Sequence, residues 1–125
     1  MRPIVHIEIP SADNDAQKAF YGSLLGWQAT DIPMGPDFTY TMFDLGNSMG
    51  AALSPVSEDD NIGPGDVILY FHSDDLDADI ARASELGGEV LLPRQDIPGF
   101  GSLGIFKDPT GNRVAFWQSA NPEQG

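Results

Sequence analysis

The sequence predicts an α+β fold built from two similar βαβββ halves. Three observations carry that prediction. One order of apolar periodicities, strand, helix and then three strands, occurs twice along the 125 residues. Each helical stretch closes on glycine, at Gly26 in the first half and at Gly87-Gly88 in the second. Between the halves, Ser54–Gly65 is polar, acidic and broken by proline and glycine, as a linker would be. A chain of this length forms one domain with a core of ordinary size. We therefore expect a single domain, its first half at about residues 3–55 and its second at about 65–118.

The elements follow in order. Residues 4–9 alternate strictly, with Val5, Ile7 and Ile9 on one face, and read as a half-buried strand that Pro10 ends. Ser11 and Asp13 are helix-start residues, and Ala16, Phe20, Leu24 and Leu25 recur behind them at helical spacing. Trp27–Thr30 is a short strand, and Asp31–Asp37, with two prolines and a glycine, is a loop. Phe38–Leu45 and Met49–Leu53 form a hairpin about Gly46-Asn47. In the second half, Asp66–His72 is a strand and Ser73-Asp74-Asp75 a cap region. Leu76, Ile80, Ala83 and Leu86 form a helical stripe. Matching the two helix ends aligns Asp13 with Asp74. Glu89–Leu92 is a short strand and Pro93–Gly99 a loop. Ser102–Lys107 and Arg113–Gln118 are strands joined by Asp108-Pro109-Thr110-Gly111-Asn112, where proline sets φ and glycine or asparagine can take positive φ. The tail Ser119–Gly125 is expected to fray.

Charge excludes several function classes. Nineteen acids against six bases leave a net charge of −13. Nucleic acid needs a basic face to replace phosphate counterions, so it is not an expected partner. An anionic membrane surface would repel the chain, and no apolar run is long enough to span a bilayer. No cysteine is present, which rules out disulfides, thiolate nucleophiles and thiolate metal sites. No signal peptide is visible, and a cytoplasmic location is the default expectation. The charge serves solubility first; its functional reading is attraction for a cationic ligand. Asp59-Asp60 and Asp74-Asp75 fit solvation and helix capping better than catalysis. No GxSxG, P-loop, GxGxxG or HExxH motif occurs. Gly99-Phe100-Gly101 is no phosphate cradle, because no helix follows it.

Several fragments together resemble the vicinal oxygen chelate superfamily, the glyoxalase/bleomycin resistance protein/dioxygenase family. They are His6-Ile-Glu-Ile-Pro10, Ala19-Phe20-Tyr21, Leu25-Gly26-Trp27, Leu86-Gly87-Gly88, the Pro93–Gly101 loop and Asp108–Asn112. The resemblance covers about residues 3–118. It implies two tandem βαβββ modules forming a curled mixed sheet whose concave face is a ligand cleft, and a homodimer. In metal-dependent relatives, four side chains from the first and last strands of each half hold one divalent ion, which polarises vicinal substrate oxygens. Glyoxalases isomerise a hemithioacetal this way, and extradiol dioxygenases bind a catechol. Bleomycin-resistance members bind drug without that metal.

His6 falls on the family's first ligand position. The other three fall near Ala52, at Val67 or Ile68, and at Ala115, none of which can donate a lone pair. A first-row divalent ion generally wants three or more protein ligands, so no metal or other cofactor is predicted, with His6 its one weak candidate. A non-family set of His6, Glu8 and His72 keeps a divalent ion conceivable. By strand parity, His6 and Glu8 share the cleft face. Glu8 there pairs with a partner such as Arg94 or Arg113, sits at an exposed rim, or anchors a cationic or hydroxylated ligand. Parity also sends Ile68, Tyr70, His72, Ala115 and Trp117 to the cleft and leaves Leu69, Phe71, Val114 and Phe116 for the helix. Tyr40 and Met42 share a face that parity does not identify, and Phe100 could close the mouth. The expected ligand contacts are therefore His6, Glu8, Tyr70, His72, Trp117 and Phe100. His6 and Glu8 are the best candidates for catalysis. The expected activity is metal-independent binding of a small, aromatic or cationic molecule. The alternative is a metal-dependent lyase, isomerase or dioxygenase with an atypical site around His6.

Overall fold

The computed structural model describes residues 1–36, 39–46, 49–58 and 62–120. Along the chain run β1 (Ile4–Ser11), α1 (Asn14–Leu25), β2 (Gln28–Pro33), β3 (Thr39–Asp44) and β4 (Gly50–Pro55). The same order then repeats as β5 (Ile68–His72), α2 (Leu76–Glu85), β6 (Glu89–Ile97), β7 (Gly101–Lys107) and β8 (Arg113–Ser119). The twofold βαβββ pattern read from periodicity is thus the observed one. Two compact units result: His6–Val67, and Ile68–Gly125 together with Met1–Val5.

Within His6–Val67 the strand order is β2-β3-β4-β1. The β1/β4 pair is parallel, and the β2/β3 and β3/β4 pairs are antiparallel. Ile7 and Ile9 point to one face, where they pack with Phe43, Ala51 and Leu53 and with Tyr21 of α1 and Trp27. Tyr21 and Trp27 stack with ring centres 5.4 Å apart, and Phe43 meets the Tyr21 ring edge-on at 5.8 Å. This aromatic group joins α1 to its sheet and fixes which face the helix covers. Asp13 caps α1 by accepting from the Ala16 N–H at 3.1 Å, and Gly26 ends it in the left-handed region at φ 74°.

The second unit repeats the arrangement as β5-β8-β7-β6, with β5 and β8 parallel and the other pairs antiparallel. Leu76 and Ile80 of α2 are buried against it. Gly104 makes that approach possible, since a Cβ there would lie 2.6 Å from Ile80 Cδ1. On the helix side the Phe106 and Phe116 rings stack at 5.2 Å, and Phe71 meets Phe116 at 6.1 Å. The other face carries Ile68, Tyr70 and Ala115, packed with Leu103, Ile105 and Trp117. The parity expected for β5 and β8 is the one observed.

Several expectations are corrected. Pro10 and Pro93 do not end strands, and Pro33 is the last residue of β2 rather than part of a loop. Pro10 and Pro33 stand in the last two positions of β1 and β2, where a missing N–H costs little, and Pro93 lies within the register shift between Leu92 and Gln95 of β6. Asp31–Pro33 therefore pairs with β3, and Arg94–Ile97 belongs to β6 rather than to a loop. Ser54 and Pro55 belong to β4, so the linker starts later. The cap of α2 lies in the expected region, at Asp75, which accepts from the Ala78 N–H; Asp13 therefore corresponds to Asp75 rather than to Asp74, which hydrogen-bonds His72. The apolar stripe of α1 is not a core stripe: Phe20, Leu24 and Leu25 are all exposed, and so is Leu86 beyond α2. Ser119 closes β8 instead of fraying. Phe38, Asn47, the Asp59-Asp60 pair and the last five positions of the tail lie outside the described residues.

Candidate functional site

Because β1 is extended, its side chains alternate between faces. Ile7 and Ile9 take the helix face, so His6 and Glu8 take the opposite one. The register places Gly50 and Ala52 of β4 beside His6 and Glu8, and Met42 of β3 beside Ala52. Small residues on β4 leave the space above that strand open. Tyr40, two residues before Met42, reaches over β4 to β1 through this gap. Its hydroxyl donates to Glu8 Oε2 at 2.6 Å. His6 Nε2 meets the same oxygen at 2.5 Å, and lies 3.3 Å from the Tyr40 hydroxyl. His6 and Glu8 side chains retain only 16% and 13% of their exposure. Glu8 Oε1 makes no hydrogen bond with the described residues and is not sealed from solvent.

The partner of Glu8 is therefore neither arginine considered from the sequence. Arg94 donates instead to Asp96, Asp77 and Ser102. Tyr40 is the candidate-site residue that sequence reasoning did not place. Its signal was parity with Met42, and the missing step was that Phe43 packs under α1, which sends Tyr40 and Met42 to the open face.

The other expected contacts lie in the second unit. Tyr70 is buried, and Trp117 packs against it together with Ile68 and Ala115. His72 Nε2 meets Asp74 Oδ1 at 2.9 Å, while its Nδ1 is buried without a partner. Nε2 therefore carries the ring proton and donates it to Asp74. Phe100 is exposed on a turn held at both ends, by Phe100 N–H to the Ile97 carbonyl and Ala120 N–H to the Phe100 carbonyl. Gly101 is required there. Its φ is 156°, and a Cβ would fall 2.3 Å from the Gln118 carbonyl oxygen and 2.8 Å from the Trp117 ring.

Residues 3–116 match the glyoxalase/bleomycin resistance protein/dioxygenase superfamily. The chain belongs to that superfamily. Among curated relatives, CFP32 of Mycobacterium bovis, which carries a provisional glyoxylase name, is 34% identical over 115 residues; the match spans 90% of this chain and 44% of CFP32. The anthracycline biosynthesis protein DnrV of Streptomyces peucetius is 32% identical over 123 residues, spanning 89% of this chain and 45% of that protein. The chain thus spans a little under half the length of both relatives. Among solved structures, methylmalonyl-CoA epimerase from Mycobacterium tuberculosis superposes with a TM-score of 0.72 at 20% identity. That match covers 94% of this chain and 88% of the epimerase. These structural likenesses establish the shared fold.

The superfamily's metal site does not fit the residues present. At the positions that the resemblance assigns to the other three ligands, Ala52 and Ala115 are fully buried, Ile68 is 4% exposed and Val67 is exposed, and none of these side chains carries a donor atom. Among the described residues, no group of three or more His, Asp or Glu side chains is arranged to hold a metal. No described helix is long and apolar enough to cross a membrane.

Proposed function

We propose that this superfamily member binds a small, flat organic molecule on the open face of His6–Val67. His6, Glu8 and Tyr40 would be its polar anchors, and no metal would take part. The convergence of two polar side chains, His6 and Tyr40, on the mostly buried Glu8 carboxylate, above a floor of small and apolar residues, carries this reading. The buried alanines at family ligand positions support the metal-free part. Two relatives named for anthracycline biosynthesis support a planar aromatic ligand class. Tyr70, His72, Trp117 and Phe100, which belong to the second unit, remain proposed as ligand-binding residues of that unit by itself. A homodimer, a cytoplasmic location and the absence of nucleic-acid or membrane partners complete it; light scattering reports the first.

The test uses protein stripped with a chelator and scanned for thermal shift against planar aromatic compounds, an anthracycline among them. The expected outcome is a concentration-dependent rise in Tm that His6→Ala abolishes. Stoichiometric metal retained through purification, with binding only in the loaded protein, would overturn the proposal.

The His6–Glu8 contact favours a second reading. An imidazole held by a carboxylate is the arrangement of a general base and its orienting group. On that reading the chain is a lyase, isomerase or dioxygenase with an atypical site. Turnover of the methylglyoxal–glutathione adduct or of a catechol, lost in Glu8→Gln, would favour it.

A further inference from the structure

The polar anchors of the proposed site also determine the charge of what they can hold. Both hydrogen bonds to Glu8 end on Oε2, which leaves Oε1 as an acceptor open to solvent. Tyr40 is a neutral donor. His6 brings at most one positive charge, and only when protonated. On the same face, strand register places Asp44 beside Gly50, next to His6. Strand alternation brings no Lys or Arg to this face. Among residues 6–67 the sequence holds ten acids and one base, Lys18. Lys18 is already taken on the helix side, where it pairs with Asp31 at 2.9 Å and Asp15 at 3.3 Å. The −13 charge of the chain is therefore concentrated, with −9 of it in residues 6–67.

An open carboxylate oxygen in a partly buried setting without Lys or Arg is poorly matched to an anion and incompletely used by a neutral ligand. A protonated amine fits it, since it supplies both the N–H for Oε1 and the charge that the surrounding acids leave unbalanced. We propose that the ligand of this face is an organic cation, an aromatic molecule bearing a protonated amine, with the ammonium group held by Glu8 Oε1. This rests on the binding site proposed above.

The experiment pairs each of a series of planar aromatic compounds carrying an aliphatic amine, protonated at neutral pH, with its own N-acetyl derivative, which keeps the ring system and removes the charge. Affinities are measured by calorimetry at neutral pH on the full chain. The amine is expected to bind at least about tenfold more tightly than its acetylated partner, since a charge-assisted hydrogen bond is worth about that much. Glu8→Gln, which removes the charge and keeps the acceptor for Tyr40, is expected to bring the pair within about threefold of each other. Raising salt should narrow the gap in wild type. Equal binding of amine and N-acetyl partner to wild type overturns the cation assignment and leaves the binding site standing. Binding of no member of either series overturns both. The wild-type comparison does not depend on how well Glu8→Gln folds.

Discussion

At the centre of the candidate site one carboxylate oxygen takes two hydrogen bonds, and the donors come from different strands. Tyr40 crosses the gap over Ala52 to supply the second. A hydrogen bond to a charged group is worth about 1.5–3 kcal/mol in folded proteins. Glu8 is mostly buried, so water cannot fully replace a lost donor. Tyr40→Phe should therefore lower stability by about 1–2 kcal/mol in urea unfolding. In Glu8→Gln, whose amide carries no charge, the same change should have a smaller effect. Equal losses in both backgrounds would show that the hydroxyl acts elsewhere. Half of this site was legible from the sequence. Period-2 alternation in Ile-Val-His-Ile-Glu-Ile alone puts His6 and Glu8 together away from the helix. Tyr40 was not legible, because its face depends on the β3/β4 register and on Phe43 packing beneath α1. Those are tertiary facts.

Elements were more legible in their order than in their ends. The misplaced ends fall largely at prolines, where local chemistry argues for a break and sheet position overrides it. Pro93 is absorbed within a register shift, between Leu92 and Gln95, and Pro33 ends an edge strand of its unit. The helices show a different failure. Both carry apolar residues at helical spacing, yet periodicity reports only that a stripe exists, not what covers it. Leu76 and Ile80 of α2 are buried, with Ile80 lying over Gly104; Phe20 and Leu24 of α1 face outward. Ile80→Ala should thus cost about 2–4 kcal/mol through lost burial and a cavity. Phe20→Ala should cost less than about 1 kcal/mol, as expected for an exposed position. Denaturant unfolding of the two variants separates these values, and a large loss from Phe20→Ala would mean that the α1 stripe is covered in solution. A second element-scale device ties the N-terminus to α2. Arg2 donates two hydrogen bonds to Asp79, at 2.7 and 2.8 Å, and Ser73 donates a third at 2.6 Å. The Arg2 guanidinium and the Ser73 hydroxyl hold the Asp79 carboxyl below the usual carboxylate range. A folded-state pKa below the unfolded one contributes stability that is present above the unfolded value, about 3.9, and is lost as pH falls through the folded value. Asp79→Asn should therefore lower Tm at neutral pH and flatten its decline below about pH 4, which a pH series of thermal melts would show.

For the whole molecule the governing quantity is the imbalance of charge. Of the six Lys and Arg residues, Arg2, Lys18, Arg82 and Arg94 are engaged in ion pairs with neighbouring acids. These pairs are largely at the surface, where each is worth little. The remaining acids repel one another over distances comparable to the screening length, about 10 Å at 0.1 M salt. Salt weakens both effects. Because acids outnumber bases nineteen to six, the repulsion removed exceeds the attraction lost. Raising sodium chloride from about 20 to about 200 mM should therefore increase Tm by a few degrees at neutral pH, with the gain saturating as the screening length shrinks. Potassium chloride should give the same curve, since screening depends on ionic strength and not on the identity of the cation. A fall in Tm would mean that the ion pairs, Arg2–Asp79 foremost, outweigh the self-repulsion of the chain. A response to one cation at micromolar concentration would instead mark a bound ion.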